Sequence, residues 1–497
     1  MITTTGVTGT RPPGTPRPTA GQRPVADAGR RGAPAEDVPG GRLHTIDGLR
    51  FLAALGVVAY HFTGRQTQVW GADPGQVFPV VGHVTMYFTL APELFFVVSG
   101  FVILWTAWGR TVPQVVASRL ARVYPAYWAA LALTSTLLLV IWPAGKRITL
   151  GEVAVNATLL QEAFGVRNVD GAYWTLWTEL RFYLLMTVFV AIGITRRRVL
   201  AFAALWPVAA TVVDLSTSGF WPTLLISRFA PYFAGGMLLF LIYRDGHARL
   251  PWALLGGNVA LALATTVSPQ LATLREYTAF EPDARIVGVV VVACFAAVAL
   301  AALSPLRRLG WGGLATLGAI TYPLYLLHQF WGWWVIEELH DVLPPAVTVL
   351  AAVAVGLALA VAVHRLVERP ANRPVRRALE AALTRALTRA ASALRDAAHR
   401  ARREGTGHDL LPERGRRRLV DEDRRADVAG PVVEARQWWR AADAAGTRGV
   451  AEREREPAHV DDVGPLAHGQ RLQAGADEAD LAGRLPQQRG VGDRRRD

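Results

Sequence analysis

Between residues 43 and 374 the chain alternates long apolar runs with short polar breaks. Ten runs stand out: 48–65, 85–107, 124–142, 173–194, 199–215, 224–243, 251–268, 284–303, 314–336 and 344–367. A helix needs roughly 20 residues to cross ~30 Å of hydrocarbon at about 1.5 Å per residue. Several runs fall short of that, which leaves their ends approximate. The segment 152–164 is too short and too polar to cross, and is expected to lie on the surface or re-enter. The pattern predicts an all-α fold: a polytopic membrane helix bundle of about ten transmembrane helices with disordered termini. Residues 1–42, rich in Gly, Pro, Thr and Arg without apolar periodicity, read as a disordered N-terminal arm. The arm lacks the apolar stretch of a secretory signal, so the first run is expected to be a retained span. Residues 43–374 form the membrane domain. Residues 375–497 read as an Arg/Ala-rich, mostly disordered cytoplasmic tail, in which 375–403 has the composition of a basic helix on the inner membrane surface.

Composition sharpens this division. Of 497 residues, 51% are hydrophobic and 19% charged, with a mean hydropathy of +0.23. That is too apolar for an ordinary soluble protein and far too apolar for a disordered one. The lone cysteine, Cys294, excludes a disulfide scaffold and any Cys-rich zinc or iron–sulfur centre. No metal site and no bound cofactor are expected. The sixteen Trp suit membrane interfaces. The net charge of +13 is uneven, since 25 of the 53 basic residues lie in 375–497. With the N-terminus inside, the inner loops hold 13 Arg, whereas the outer loops hold 6 Arg and Lys together. The bias predicts a multi-pass cell-membrane protein with an even number of spans and both termini cytoplasmic.

Ionisable groups inside a span are expensive and mark functional sites by default. The runs carry Arg50, His61, Glu93, Glu179, Arg181, Arg228 and His328. Arg50 and His61 are eleven residues apart, a spacing that returns to within ~20° of the same helical face about 16 Å further along. Arg50 near the inner mouth suits a phosphate-bearing donor. His61, deeper in the membrane, suits a proton acceptor near neutral pH. The plainer alternative is an anchoring Arg and a His hydrogen-bonded to another helix. Ser99, followed by Gly100, offers either close helix packing or a hydroxyl for substrate. Glu93 needs a partner or an aqueous cavity. Arg119 and Arg122, in the inner loop after the second run, share a face as a topological anchor or as an anion site. Glu179 and Arg181 are two apart and cannot pair locally, so each needs a partner on another helix. Glu179 beside His61 would orient the imidazole. Arg228 lies early in the sixth run. Tyr325 and His328, three apart on the ninth, either reach substrate or make an interhelix hydrogen bond. Val367-Glu368-Arg369-Pro370 reads as a helix end stopped by proline.

There is no Walker motif, no dinucleotide-binding glycine fingerprint, no H-E-x-x-H and no G-x-S-x-G in the chain. Five pieces carry a resemblance instead. They are Arg50 with His61, Phe95-Phe96-Val97-Val98-Ser99-Gly100-Phe101, and Arg119-Leu120-Ala121-Arg122-Val123-Tyr124-Pro125. The others are the Trp174–Tyr183 run with Glu179, and Tyr322-Pro323-Leu324-Tyr325-Leu326-Leu327-His328 with Glu368-Arg369-Pro370. Their order and spacing resemble the acyltransferase 3 family of integral-membrane O-acyltransferases over roughly residues 43–374. The resemblance implies a cytoplasmic acyl-CoA co-substrate and transfer of an acyl group, often acetyl. The implied acceptor is a hydroxyl of a glycan, glycolipid or glycoside. It also assigns the functional pair to Arg50 and His61.

On that basis the phosphates would be held by Arg119, Arg122 and Arg50, and His61 would act as general base. Glu179 would support the imidazole, and Ser99, Tyr325, Arg228 and His328 are the remaining substrate-facing candidates. No nucleic-acid partner is expected. The alternative from a different class is a secondary transporter with a buried His/Glu/Arg relay, which predicts repeats in matching halves. The two halves show no convincing repeat.

Overall fold

Backbone N–H and C=O groups in hydrocarbon must find partners within their own segment, and for single runs of this length helix is the solution. The computed structural model describes residues 43–405, and those residues are helical with no strand among them. The long helices are α1 (His44–Ala59), α2 (Ala91–Ala107), α3 (Val112–Thr136), α4 (Trp174–Ala191), α5 (Arg196–Ser216), α6 (Ala230–Asp245), α7 (Arg249–Tyr277), α8 (Ala284–Leu303), α9 (Gly312–Leu339), α10 (Pro345–Val363) and α11 (Arg369–Gly405). The expected disordered arm, 1–42, and the tail beyond 405 lie outside the described residues.

Seven helical segments among the described residues are long and apolar enough to cross a membrane, and they contain α2, α3, α5, α6, α7, α8 and α10. The expected count of about ten therefore stands at seven by length and composition. The other long helices that follow the predicted runs are α1, α4 and α9. They are the ones that carry Arg50 and His61, Glu179 and Arg181, and Tyr325 and His328. Polar side chains gathered on three helices dilute the apolar signal of those same helices.

The core is built around α6. Every residue from Ala230 to Ile242 is buried, as befits a helix that is apolar all round. It packs on α2, α5, α7 and α8. The crossing with α2 depends on two glycines. A Cβ on Gly236 would collide with the Val97 carbonyl, and one on Gly100 with the Phe233 carbonyl. The small residues thus let the two backbones touch. A second group forms around α9, which packs on α1, α10 and α3. Large apolar side chains are left exposed on α5, α8 and α10: Leu205, Val208 and Val212; Val289, Val292 and Leu300; Val347 and Leu350. An outward-facing apolar surface of this kind suits a lipid environment.

Three boundary expectations are corrected. First, Arg119 and Arg122 sit on a helix, not in a loop. The chain turns helical at Val112 behind a capping box in which Thr111 and Gln114 satisfy each other's backbone. Second, the chain does not stop at Pro370. A π-turn at His364–Glu368 bends it and α11 follows at once. Pro370 follows directly on that π-turn, and the helix runs on through it without a break. The described part of the expected tail, 375–405, is accordingly helix. Third, Arg228 precedes α6, in the turn between a short helix (Phe220–Leu225) and Ala230. The segment 152–164 holds only the short helix Leu150–Asn156, capped by Thr149 and Glu152.

Candidate functional site

The end of the bundle where α1 begins holds a cavity of about 510 Å³ between α1, α2, α3, α4 and α11. Four guanidinium groups line it, from Arg50, Arg119, Arg122 and Arg376, against two carboxylates, Asp47 and Glu179. Arg119 is fixed by a hydrogen bond to the Thr106 hydroxyl and lies over the Tyr183 ring at 6.0 Å. Glu179 accepts a hydrogen bond of 3.0 Å from the Ser99 hydroxyl. Arg122 makes no hydrogen bond or ion pair with any described residue. A basic concavity of this size suits a large anion.

Arg50, Ser99 and Glu179 also line a second, narrower cavity of about 60 Å³, which continues inward to Thr175, Tyr322 and Tyr325. Thr175 donates a 2.9 Å hydrogen bond to the Tyr325 hydroxyl, and Tyr322 donates one of 3.2 Å to the Val123 carbonyl. Pro92 and Tyr325 are then shared with a third cavity of about 110 Å³ at the opposite end, which His61 lines. Three cavities joined by common walls therefore run along the seam between the α6 and α9 groups.

The far cavity has a different character. Beside His61 it presents Glu93, Gln270, Thr273, Gln329 and the aromatic rings of Tyr60, Trp174 and Tyr277. Arg65 lies there too, stacked 5.0 Å from the Tyr277 ring. Glu93 is 3% exposed, so its Oε2 depends on the cavity rather than on bulk solvent. A π-turn at Tyr60–Gly64 ends α1, and the Trp333 indole donates to the His61 carbonyl at 3.1 Å. That extra residue per turn rotates the last stretch of α1 away from ideal register. Arg50 and His61 consequently open into neighbouring cavities instead of one crevice.

The ring nearest His61 is His328, with centroids 5.0 Å apart. His328 is buried, and its Nδ1 lies 2.8 Å from the Tyr325 carbonyl. A proton on that nitrogen is the arrangement that satisfies the carbonyl, which leaves Nε2 as an acceptor. His328 Nε2 and His61 Nδ1 have no hydrogen-bond partner among the described residues.

The structure thus gathers Arg50, Arg119, Arg122, Ser99 and Glu179 at one end. It places His61 with His328 and Tyr325 towards the other. Glu179 is not beside His61, contrary to expectation. It sits five residues beyond Trp174, about 7.5 Å along α4, whereas His61 shares its cavity with Trp174 itself. Arg228 lies outside these cavities and donates to Gln270 at 3.2 Å. Arg181 turns to the Thr223 carbonyl. The sequence reading missed Gln270, Thr273 and Tyr277, because it ended the seventh run at 268. Their spacing of three and four residues continues the helical period past Pro269 and was the available signal.

Comparison with known proteins fits this picture. The family described as an acyltransferase domain matches residues 43–365. Acyltransferase MdmB of Streptomyces mycarofaciens is 28% identical over 150 residues. The aligned segment is 29% of this chain and 38% of that relative. No solved structure matches. The chain belongs to the acyltransferase 3 family. Its apolar helices and its family are those of a multi-pass membrane protein.

Proposed function

We propose that the protein is an integral-membrane O-acyltransferase. It moves an acyl group, acetyl in the first instance, from cytoplasmic acyl-CoA to a hydroxyl of a carbohydrate or glycosylated acceptor. It would sit in the cell membrane with both termini cytoplasmic, and residues 43–374 would form the catalytic domain. The observation that carries this reading is the succession of adjacent cavities, sharing wall residues, from an Arg-lined cleft towards a buried imidazole. A polyanionic donor with a long thioester arm suits such a path, its phosphates on Arg50, Arg119 and Arg122 and its reactive carbon carried inward past Ser99 and Tyr325.

In the proposed reaction His61 takes the proton of the acceptor hydroxyl as that oxygen attacks the thioester carbon. The tetrahedral oxyanion collapses, the C–S bond breaks, and the proton on His61 passes to the departing thiolate. A correctly placed base of this kind contributes about 10²–10⁴-fold. His328 would hold the His61 ring in place through the edge-on contact of the two imidazoles, 5.0 Å between centroids. The Tyr325 hydroxyl is placed to stabilise the oxyanion. The amide, carboxylate and aromatic lining of the far cavity suits a polyol acceptor, because sugars offer both hydroxyls and an apolar ring face.

Release of free thiol from acetyl-CoA by the purified protein, measured with and without glycoside acceptors, tests this. Acceptor-dependent thiol release is expected. Passage of a solute without thioester cleavage would point to the transporter alternative instead.

A further inference from the structure

Residues beyond 365 lie outside the acyltransferase match, yet two of them face the basic cavity. Asn372 and Arg376 line it from α11. They are four residues apart on one helical face. Asn372 Nδ2 donates to the Ala121 carbonyl at 3.3 Å, one residue from Arg122, and α11 packs along α3 over this stretch. The π-turn at His364–Glu368 sets the angle of that packing, and its ends are tied by His364 Nδ1 to Glu368 Oε2 at 2.9 Å. Arg376 makes no hydrogen bond or ion pair with any described residue, while its neighbour Arg377 is outside the cavity lining.

We propose that Asn372 and Arg376 complete the donor site by binding the ribose phosphate of the coenzyme A thioester. This rests on the donor assignment above. The thioester must travel inward past Arg50, so the nucleotide end stays at the mouth. Arg376 is the exposed guanidinium of the four, whereas Arg50, Arg119 and Arg122 are partly buried. A rim position suits the phosphate farthest from the reacting carbon, and the inner three suit the pyrophosphate. The acyltransferase domain would then depend on a helix that lies past its own boundary.

The test is direct binding of coenzyme A and of dephospho-coenzyme A to the full-length protein in phosphatidylcholine nanodiscs. Arg376→Ala should weaken coenzyme A binding by about tenfold, the size of one charge-assisted contact. It should also abolish the preference for coenzyme A over its dephospho form. Arg377→Ala, of equal charge, should change affinity less than twofold. Equal weakening by Arg377→Ala would mean diffuse attraction and would overturn the proposal. So would an Arg376→Ala effect that appears only in anionic bilayers, which would assign the side chain to lipid headgroups. Wild-type affinity in Arg376→Ala would overturn it while leaving the donor assignment intact. Absence of coenzyme A binding by the wild type would remove the donor assignment itself.

Discussion

The two ends of the cavity line differ in the kind of chemistry they offer. Where α1 begins, four guanidinium groups outnumber two carboxylates and set a fixed positive field. At the far end a single guanidinium, Arg65, is set against Glu93 among amides, hydroxyls and aromatic rings. The first arrangement recognises charge and tolerates imprecise docking. The second recognises shape and hydrogen-bond pattern, and is selective only when each polar atom is matched. On the proposed reading this is the division an enzyme with one invariant and one specific substrate needs.

The largest effect should come from the imidazole that lines the far cavity. His61→Ala is expected to cut acyl transfer by about 10²–10⁴-fold and to leave coenzyme A affinity within about twofold, because the donor's phosphates bind elsewhere. A variant that turns over at the wild-type rate would refute the base assignment. Next, Arg122→Ala should weaken coenzyme A binding by about tenfold, and its deficit should shrink at high salt as screening weakens the wild-type contact. Affinity that ignores both the substitution and salt would break the charged half of the comparison.

A smaller effect is expected on the opposite side. Gln270→Ala should raise the acceptor KM by about fivefold without altering coenzyme A affinity. A change in donor binding instead would show that the two ends are not separate. The smallest effect concerns the connection between α3 and α4, where burial pushes Glu162 up to about 7. The folded loop favours the protonated form. Its stability should therefore fall as pH rises from the ordinary carboxylate range to about 7, then level off. Hydrogen exchange of residues 157–170, corrected for intrinsic rates, should show that slope, and Glu162→Gln should flatten it.

Much of the architecture is legible in the sequence, since burial in lipid demands long apolar runs and the long helices follow them. The candidates on α1 were equally visible, because an Arg and a His in such a run have no cheap structural excuse. Adjacency between helices was not legible. Nothing in the spacing of Glu179 says that it meets Ser99 on α2 rather than His61, because that depends on the depth at which α4 starts. Arg376 fell within the stretch 375–403 read as a basic surface helix, but nothing in the sequence said that this helix packs along α3. Gln270 was missed because the seventh run was ended just before Pro269, a proline that α7 carries in its interior.

The complete enclosure of α6 has a consequence for how the chain is made. This helix is synthesised before α7 and α8, against which it finally rests. While it waits, the faces that α7 and α8 will cover must meet lipid, and the run Ala230–Ile242 offers lipid nothing charged. Its one hydroxyl, on Tyr232, is matched only when Thr266 of α7 arrives, 2.8 Å away. Membrane insertion and helix assembly are thus separable events for this segment, and a nascent chain arrested once α6 has left the ribosome but before α7 has should leave those faces open to crosslinking by neighbouring phospholipids.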